Sequence, residues 1–323
     1  MDTELEVQGV IANMMLDPRA SQRLALFMSY YAGLSPEISV SPRPGLTVER
    51  IAAMRDEFRM TLEENLRRGS GSVREAFNPG YTYLNADLAG HYGIGGVSGA
   101  TPQKVTLSPE QAHWRGGILT GLFVVEYAND NSTSLVMRGF TVRQNLFCQS
   151  FAANALRPEP DGFPDRPIGE REKWQIHTGP TASNGTCWGC HKFFNDTGAS
   201  MENYDQTAKL RETELAINQG YTDQHVPIDA SGPFIDNMGG NWIDHIDDVR
   251  DIAEHIPSNK EAMQCLASGF YRYTMGARPD RTSMSTVSKL SSQLLQDDNL
   301  RELAVDMLSA DTMIRRVDQE DSK

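Results

Sequence analysis

The sequence predicts a mainly α, multi-helical chain with few or no strands. Three observations carry this. Apolar residues recur at three- and four-residue steps in several long stretches. Those stretches open at capping residues and stop at glycines. Strand-like alternation is scarce, and no internal repeat of fixed period is present.

Taken in order, RLALFMSYYAGL (23–34) reads as a helix. TVERIAAMRDEFRMTLEENLRRG (47–69) follows, with Ile51, Met54, Phe58, Leu62 and Leu66 on one face, Thr47 and Glu49 as a start signal and Gly69 as a stop. LNADLAGHYGI (84–94) is a short helix ending at Gly93, and VMRGFTVRQNLFCQS (136–150) is another. NKEAMQCLASGFYRYTMG (259–276) is a long apolar-periodic helix stopped by Gly276 and Pro279. MSTVSKLSSQLLQ (284–296) and NLRELAVDMLSAD (299–311) complete the helical set.

With 323 residues the chain exceeds the usual size of one domain, so two packed regions are expected. RPEPDGFPDRP (157–167) has four prolines in eleven residues and cannot hold a helix. It gives a division into an N-terminal helical region (1–156), a Pro-rich linker (157–168) and a second helical region (169–323). The segment HVPIDASGPFIDNMGGNWIDHIDD (225–248) reads as a Gly- and Asp-rich loop. Asp229, Asp236, Asp244, Asp247 and Asp248 offer hard oxygens for calcium, but their spacing matches no EF-hand loop and a solvated loop is the plainer reading. GIGGVSG (93–99) places Ser98 where a dinucleotide fingerprint needs glycine, has no strand before it and reads as a turn.

The best apolar window, GGILTGLFVVEYA (116–128), is too short to span a bilayer, so a transmembrane helix is not expected. The N-terminus lacks the basic region of a signal peptide as it stands. A net charge of −13 repels nucleic acid and anionic membranes, and is compatible with a partner carrying a basic docking surface.

Four cysteines are present. Cys148 and Cys265 lie 117 positions apart among apolar neighbours and can be two buried thiols or, in an oxidising compartment, a disulfide. The other two form CWGCH at 187–191. In that arrangement the thiols of Cys187 and Cys190 can add to the two vinyl groups of a haem, and His191 then faces the iron as proximal ligand. A zinc site would need a second ligand pair, and the remaining Cys and His are scattered singly. A thioredoxin-like motif would need a preceding strand, whereas Pro180, Asn184 and Gly185 lead in here. The expectation is one covalent haem c. Such attachment takes place outside the bacterial cytoplasm, so the expected location is periplasmic or extracellular. A signal segment is then a matter of processing or of where the sequence starts.

Four stretches carry a resemblance to a family: YTYLNADLAGHYGI (81–94), RGGILTG (115–121) with RGFTVRQNLFC (138–148), CWGCHKFFNDTGASMENYDQTAKLRET (187–213), and IDASG (228–232) with CLASGFYRYTMGAR (265–278). From about Phe27 onward the chain resembles a secreted cytochrome c family of planctomycete and myxobacterial type, whose modules are catalogued mainly as domains of unknown function. The resemblance implies a mostly helical periplasmic or extracellular haem protein and favours a Cys148–Cys265 disulfide. Family members are often longer and sometimes carry a second haem, whereas this chain has one CxxCH. The family also often has Asp-Pro after the motif where this chain has Asp196-Thr197.

The sixth iron ligand separates the functional alternatives, because a closed iron suits electron transfer and an open one suits peroxide or oxygen chemistry. His177 occupies a position where the family also tends to have His, and can ligate the iron, bond a propionate or be structural. Met201 and Met275 are further distal candidates, with core packing the plainer role for both. Trp188, Phe193, Phe194, Tyr204, Trp242 and Tyr273 are candidates for the haem wall. Arg211 and Arg278 can pair with propionates or form surface ion pairs. The expected function is one-electron transfer with a redox partner protein. The alternatives are a haem enzyme (peroxidase or oxygenase) with an open distal side, or a haem-bearing structural subunit of a larger complex.

Overall fold

A computed structural model describes residues 4–34, 40–151, 162–182, 186–236 and 242–310. The start of the Pro-rich stretch, Asn184, Gly185, and the side chains of Trp242 and Asp244 lie outside the described residues.

The chain is mainly α, with fourteen α-helices among the described residues. They are α1 (Glu4–Met14), α2 (Pro18–Tyr31), α3 (Val48–Arg67), α4 (Val73–Phe77), α5 (Ala86–Tyr92), α6 (Pro109–Trp114), α7 (Leu122–Glu126), α8 (Leu135–Thr141), α9 (Glu170–Thr178), α10 (Trp188–Ala199), α11 (Val249–His255), α12 (Lys260–Met275), α13 (Arg281–Asp297) and α14 (Leu300–Ser309). Three antiparallel pairs interrupt them: β1 (Tyr81–Leu84) with β2 (Gln103–Thr106), β3 (Thr213–Leu215) with β4 (His225–Pro227), and β5 (Gly232–Ile235) with β6 (Trp242–Ile246).

Local chemistry sets the long helices. Thr47 caps α3 by accepting from the Arg50 amide, and Asn259 caps α12 by accepting from the Ala262 amide. α5 and α12 end at Gly93 (φ 74°) and Gly276 (φ 64°), both left-handed, where a side chain would be strained. Pro18 occupies the first turn of α2, behind the Asp17 cap.

The principal buried cluster runs from Leu24 to Met307 and draws on both sides of the Pro-rich stretch. α12 packs on α2 and α13, and α1 packs on α14. Cys148 and Cys265 form a disulfide with Cα atoms 5.4 Å apart. No described helix is long and apolar enough to cross a membrane.

Two readings need correction. The stretch 136–150 is not one helix: α8 passes into a π-helical turn at Val142–Leu146, and Cys148 takes a left-handed φ of 52°. Cys148 is there bonded to Cys265 of α12, a long-range contact that apolar periodicity does not report. The segment 225–248 is not a bare loop, because it contributes β4, β5 and β6. Strands of three to five residues are too short to leave a periodic signal. Phe234 and Ile235 of β5 are buried, and tertiary packing decides their conformation.

Candidate functional site: the opening turn of α10

Cys187 stands at the N-cap of α10, and Cys190 and His191 follow on its first turn. Positions i, i+3 and i+4 share one helix face, so the two thiols and the imidazole point the same way. Both thiols are free and half-buried. Trp188 is half-buried beside them.

His191 is held by a chain of three hydrogen bonds. Its Nδ1 lies 2.9 Å from Asn195 Oδ1. Asn195 Nδ2 donates to Thr178 Oγ1 at 2.9 Å, and that hydroxyl donates to the Trp174 carbonyl at 2.7 Å. Because the Asn195 amide group is committed to donating toward Thr178, its oxygen faces the histidine. Nδ1 therefore carries the proton and Nε2 keeps its lone pair. Burial lowers the His191 pKa, opposed by the Asn195 bond, which favours a neutral ring.

Aromatic side chains enclose this imidazole. Trp174 stacks on it (centroids 5.8 Å, planes 18° apart), and Phe194 lies 4.6 Å away. Phe151 and Phe140 pack on Phe194, and Cys190 lies against the same small cluster with Phe193 and Ile235. His177 belongs to this neighbourhood, 6.3 Å from Trp174 and stacked on Phe163 at 5.2 Å.

α9 brings Trp174, His177 and Thr178 to the site. Its first amide, from Glu170, donates to Glu214 Oε1 of β3 at 2.9 Å. Arg171 joins it to α10 through Asp196 at 2.9 Å, and to the 229–231 turn through the Asp229 carbonyl at 3.0 Å.

α8 fixes α10 from the other side. A Cβ at Gly198 would fall 1.9 Å from the Leu135 carbonyl oxygen, and one at Gly139 would fall 1.9 Å from that of Phe194. The two backbones meet where only glycine fits. Arg143, fully buried, donates to the Phe193 carbonyl at 2.8 Å and to Thr197 Oγ1 at 3.1 Å. Arg138, also fully buried, donates to the Met201 and Tyr204 carbonyls, each at 3.0 Å, and pairs with Glu202 at 3.2 Å. The desolvation cost of this charge is thereby offset by good geometry.

The structure thus gathers Cys187, Cys190, His191, Phe193, Phe194 and His177 around α9 and the start of α10. The other candidates sit elsewhere. Met201 is fully buried in the principal core, and Met275 packs on that core from the end of α12. Tyr204 is buried there too, its hydroxyl donating to the Trp114 carbonyl at 2.6 Å. Arg211 is engaged by Glu202 at 3.0 Å and Glu214 at 3.5 Å. Tyr273 packs against Phe27 and Tyr30, and Arg278 is exposed. No group of three or more His, Cys, Asp or Glu side chains suited to a metal ion occurs among the described residues, which includes the calcium candidates described there.

Sequence reasoning missed Asn195, Thr178 and Trp174. Asn195 had a usable signal, since a polar residue four positions after a helical histidine lies on its face. Thr178 and Trp174 had none, because only folding brings α9 alongside.

Two family models match this chain. One, PSD4, described as a protein of unknown function (DUF1592), covers residues 1–94. The other, PSCyt3, described as a protein of unknown function (DUF1588), covers residues 115–214 and so contains α8, α9 and α10. Both are domain families catalogued in planctomycete cytochrome c-type proteins. No curated protein and no solved structure matches the chain.

Proposed function

We propose that this chain is a monohaem c-type cytochrome, carrying single electrons in the periplasm or outside the cell. The observation that carries the reading is the opening turn of α10, where two free thiols and a histidine share one face and Asn195 occupies the histidine's Nδ1. This donor set fits the group: Cys187 and Cys190 would hold the macrocycle edge, and His191 would offer Nε2 to the iron. Haem bound there supplies reversible one-electron chemistry.

The protein's own residues do the rest. The chain of bonds through Asn195 and Thr178 fixes the plane of the imidazole and raises its basicity as a ligand. Trp174 and Phe194, the latter backed by Phe151, shield its flanks from water, and a drier site disfavours added charge on the iron. His177, beside Trp174, is the distal candidate closest to this aromatic cluster in the fold. A partner with a basic docking surface suits the net charge of −13.

The test is the visible spectrum of protein produced in a host that matures haem c. We expect a haem that stays attached on denaturation and a low-spin spectrum unmoved by carbon monoxide. A spectrum that shifts with carbon monoxide would move the reading to an open-site haem enzyme. Absence of covalent haem would end it.

A further inference from the structure

Away from α10, a cleft of about 730 Å³ opens beside the Cys148–Cys265 disulfide, where α2, the π-helical turn, α12 and the start of α13 meet. Its size falls within the roughly 300–1,000 Å³ of small-ligand sites. The chain reaches its wall through a π-helical turn and a left-handed non-glycine residue, Cys148. Irregularities of both kinds concentrate at functional sites.

The wall has three chemical parts. Tyr30 and Tyr273 present rings 42% and 36% exposed, with centroids 5.9 Å apart. Arg272 and Arg278 are exposed on the wall, and neither has an ion-pair partner among the described residues. The remainder divides between apolar surface (Phe27, Pro279, Met284 and the disulfide) and neutral amides and hydroxyls, chiefly Gln144, Asn145 and Ser268. Gln149 is only 5% exposed, and its Oε1 accepts no hydrogen bond from the described residues, while its Nε2 faces Glu261 at 3.4 Å. Glu261 lines the adjoining depression rather than this cleft, whose described wall has no carboxylate. In a chain of net charge −13, these two arginines put positive charge on a wall without a described carboxylate.

We propose that this cleft binds an anionic saccharide whose sugar rings carry carboxylates. Sugar faces stack on the two tyrosines, ring hydroxyls meet the neutral amides of Gln144 and Asn145, and a carboxylate pairs with a guanidinium in the bidentate way. A simple inorganic anion would leave the tyrosine faces bare. An aromatic acid would leave the neutral polar wall without partners.

The experiment is calorimetric titration of the haem-loaded, disulfide-bonded protein with trigalacturonate, with galactotriose and with inorganic phosphate. We expect saturable binding of trigalacturonate, at least about tenfold weaker binding of the neutral trisaccharide, and none of phosphate at the same concentrations. Arg272→Ala with Arg278→Ala should bring trigalacturonate down to the neutral level, and Tyr273→Ala should weaken both sugars. Both arginine side chains are exposed, so the thermal melt of the double-arginine variant should match the parent and separate lost binding from lost folding. Failure of trigalacturonate to saturate, unchanged affinity in the double-arginine variant, or displacement of the sugar by phosphate would each overturn the proposal.

Discussion

The Nδ1 of His191 is hydrogen-bonded to Oδ1 of Asn195 at 2.9 Å, one turn further along α10. This bond decides which nitrogen of the ring is available, and Thr178, 17 positions earlier, decides which end of the Asn195 amide makes it. A more strongly accepting partner makes the imidazole a better donor and favours the ferric state. Asn195→Asp should therefore lower the midpoint potential of the haem-loaded protein, and Asn195→Ala should raise it, each by tens of millivolts. Electrochemical titration of the two variants reads the sign directly. Shifts in the same direction would mean that Asn195 acts by packing alone.

The α8–α10 crossing has no room for a methyl group. Gly198→Ala would set a Cβ 1.9 Å from the Leu135 carbonyl oxygen, and backbone cannot yield as a flexible side chain would. The expected cost is about 1–3 kcal/mol or more, measured by denaturant unfolding. Because α10 carries His191, the variant should also bind haem in a changed environment, visible in the Soret band. Gly189→Ala, on the same helix with nothing within 4 Å, is the control and should cost less than Gly198→Ala.

Glu57 gives a pH dependence of known sign. Its carboxyl is buried on α3 and accepts from Thr82 Oγ1 at 2.7 Å and Tyr92 Oη at 2.8 Å. Burial raises its pKa above the ordinary 4.5, more than these bonds lower it. The folded state thus holds this proton when the unfolded state has released it. Its contribution to stability is complete below pH 4.5 and declines as pH rises through the elevated folded value. Glu57→Gln lacks that dependence. The melting temperature of the parent, taken relative to Glu57→Gln, should fall steadily from pH 4 upward. A difference constant across that range would show that Glu57 ionises without penalty.

The Cys148–Cys265 disulfide closes a loop of 117 residues across the principal core. On a chain-entropy basis a loop of this length is worth about 4–5 kcal/mol, and measured losses run about 2–5 kcal/mol. Cys148→Ser with Cys265→Ser should lower the denaturation midpoint accordingly while leaving covalent haem attachment intact, because Cys187 and Cys190 are separate from it. Loss of haem in that variant would mean that haem attachment requires the disulfide-braced fold.

What the sequence determined by itself was local. Periodicity and caps marked α3, α12, α13 and α14 because helix formation depends on neighbours within four residues, and Thr47, Gly93 and Gly276 act where they stand. The haem attachment we propose at CWGCH could be read for the same reason, since it rests on five consecutive residues. The disulfide was legible only through resemblance, because a separation of 117 positions leaves no local trace. Tertiary structure alone decided the rest. It set Gly139 against Gly198, sent Arg143 to a carbonyl 50 positions away, paired the short strands of 225–248, and laid α9 along α10 so that Thr178 could orient Asn195. These are contacts between distant parts of the chain, whose energies depend on shape and burial that no single segment encodes.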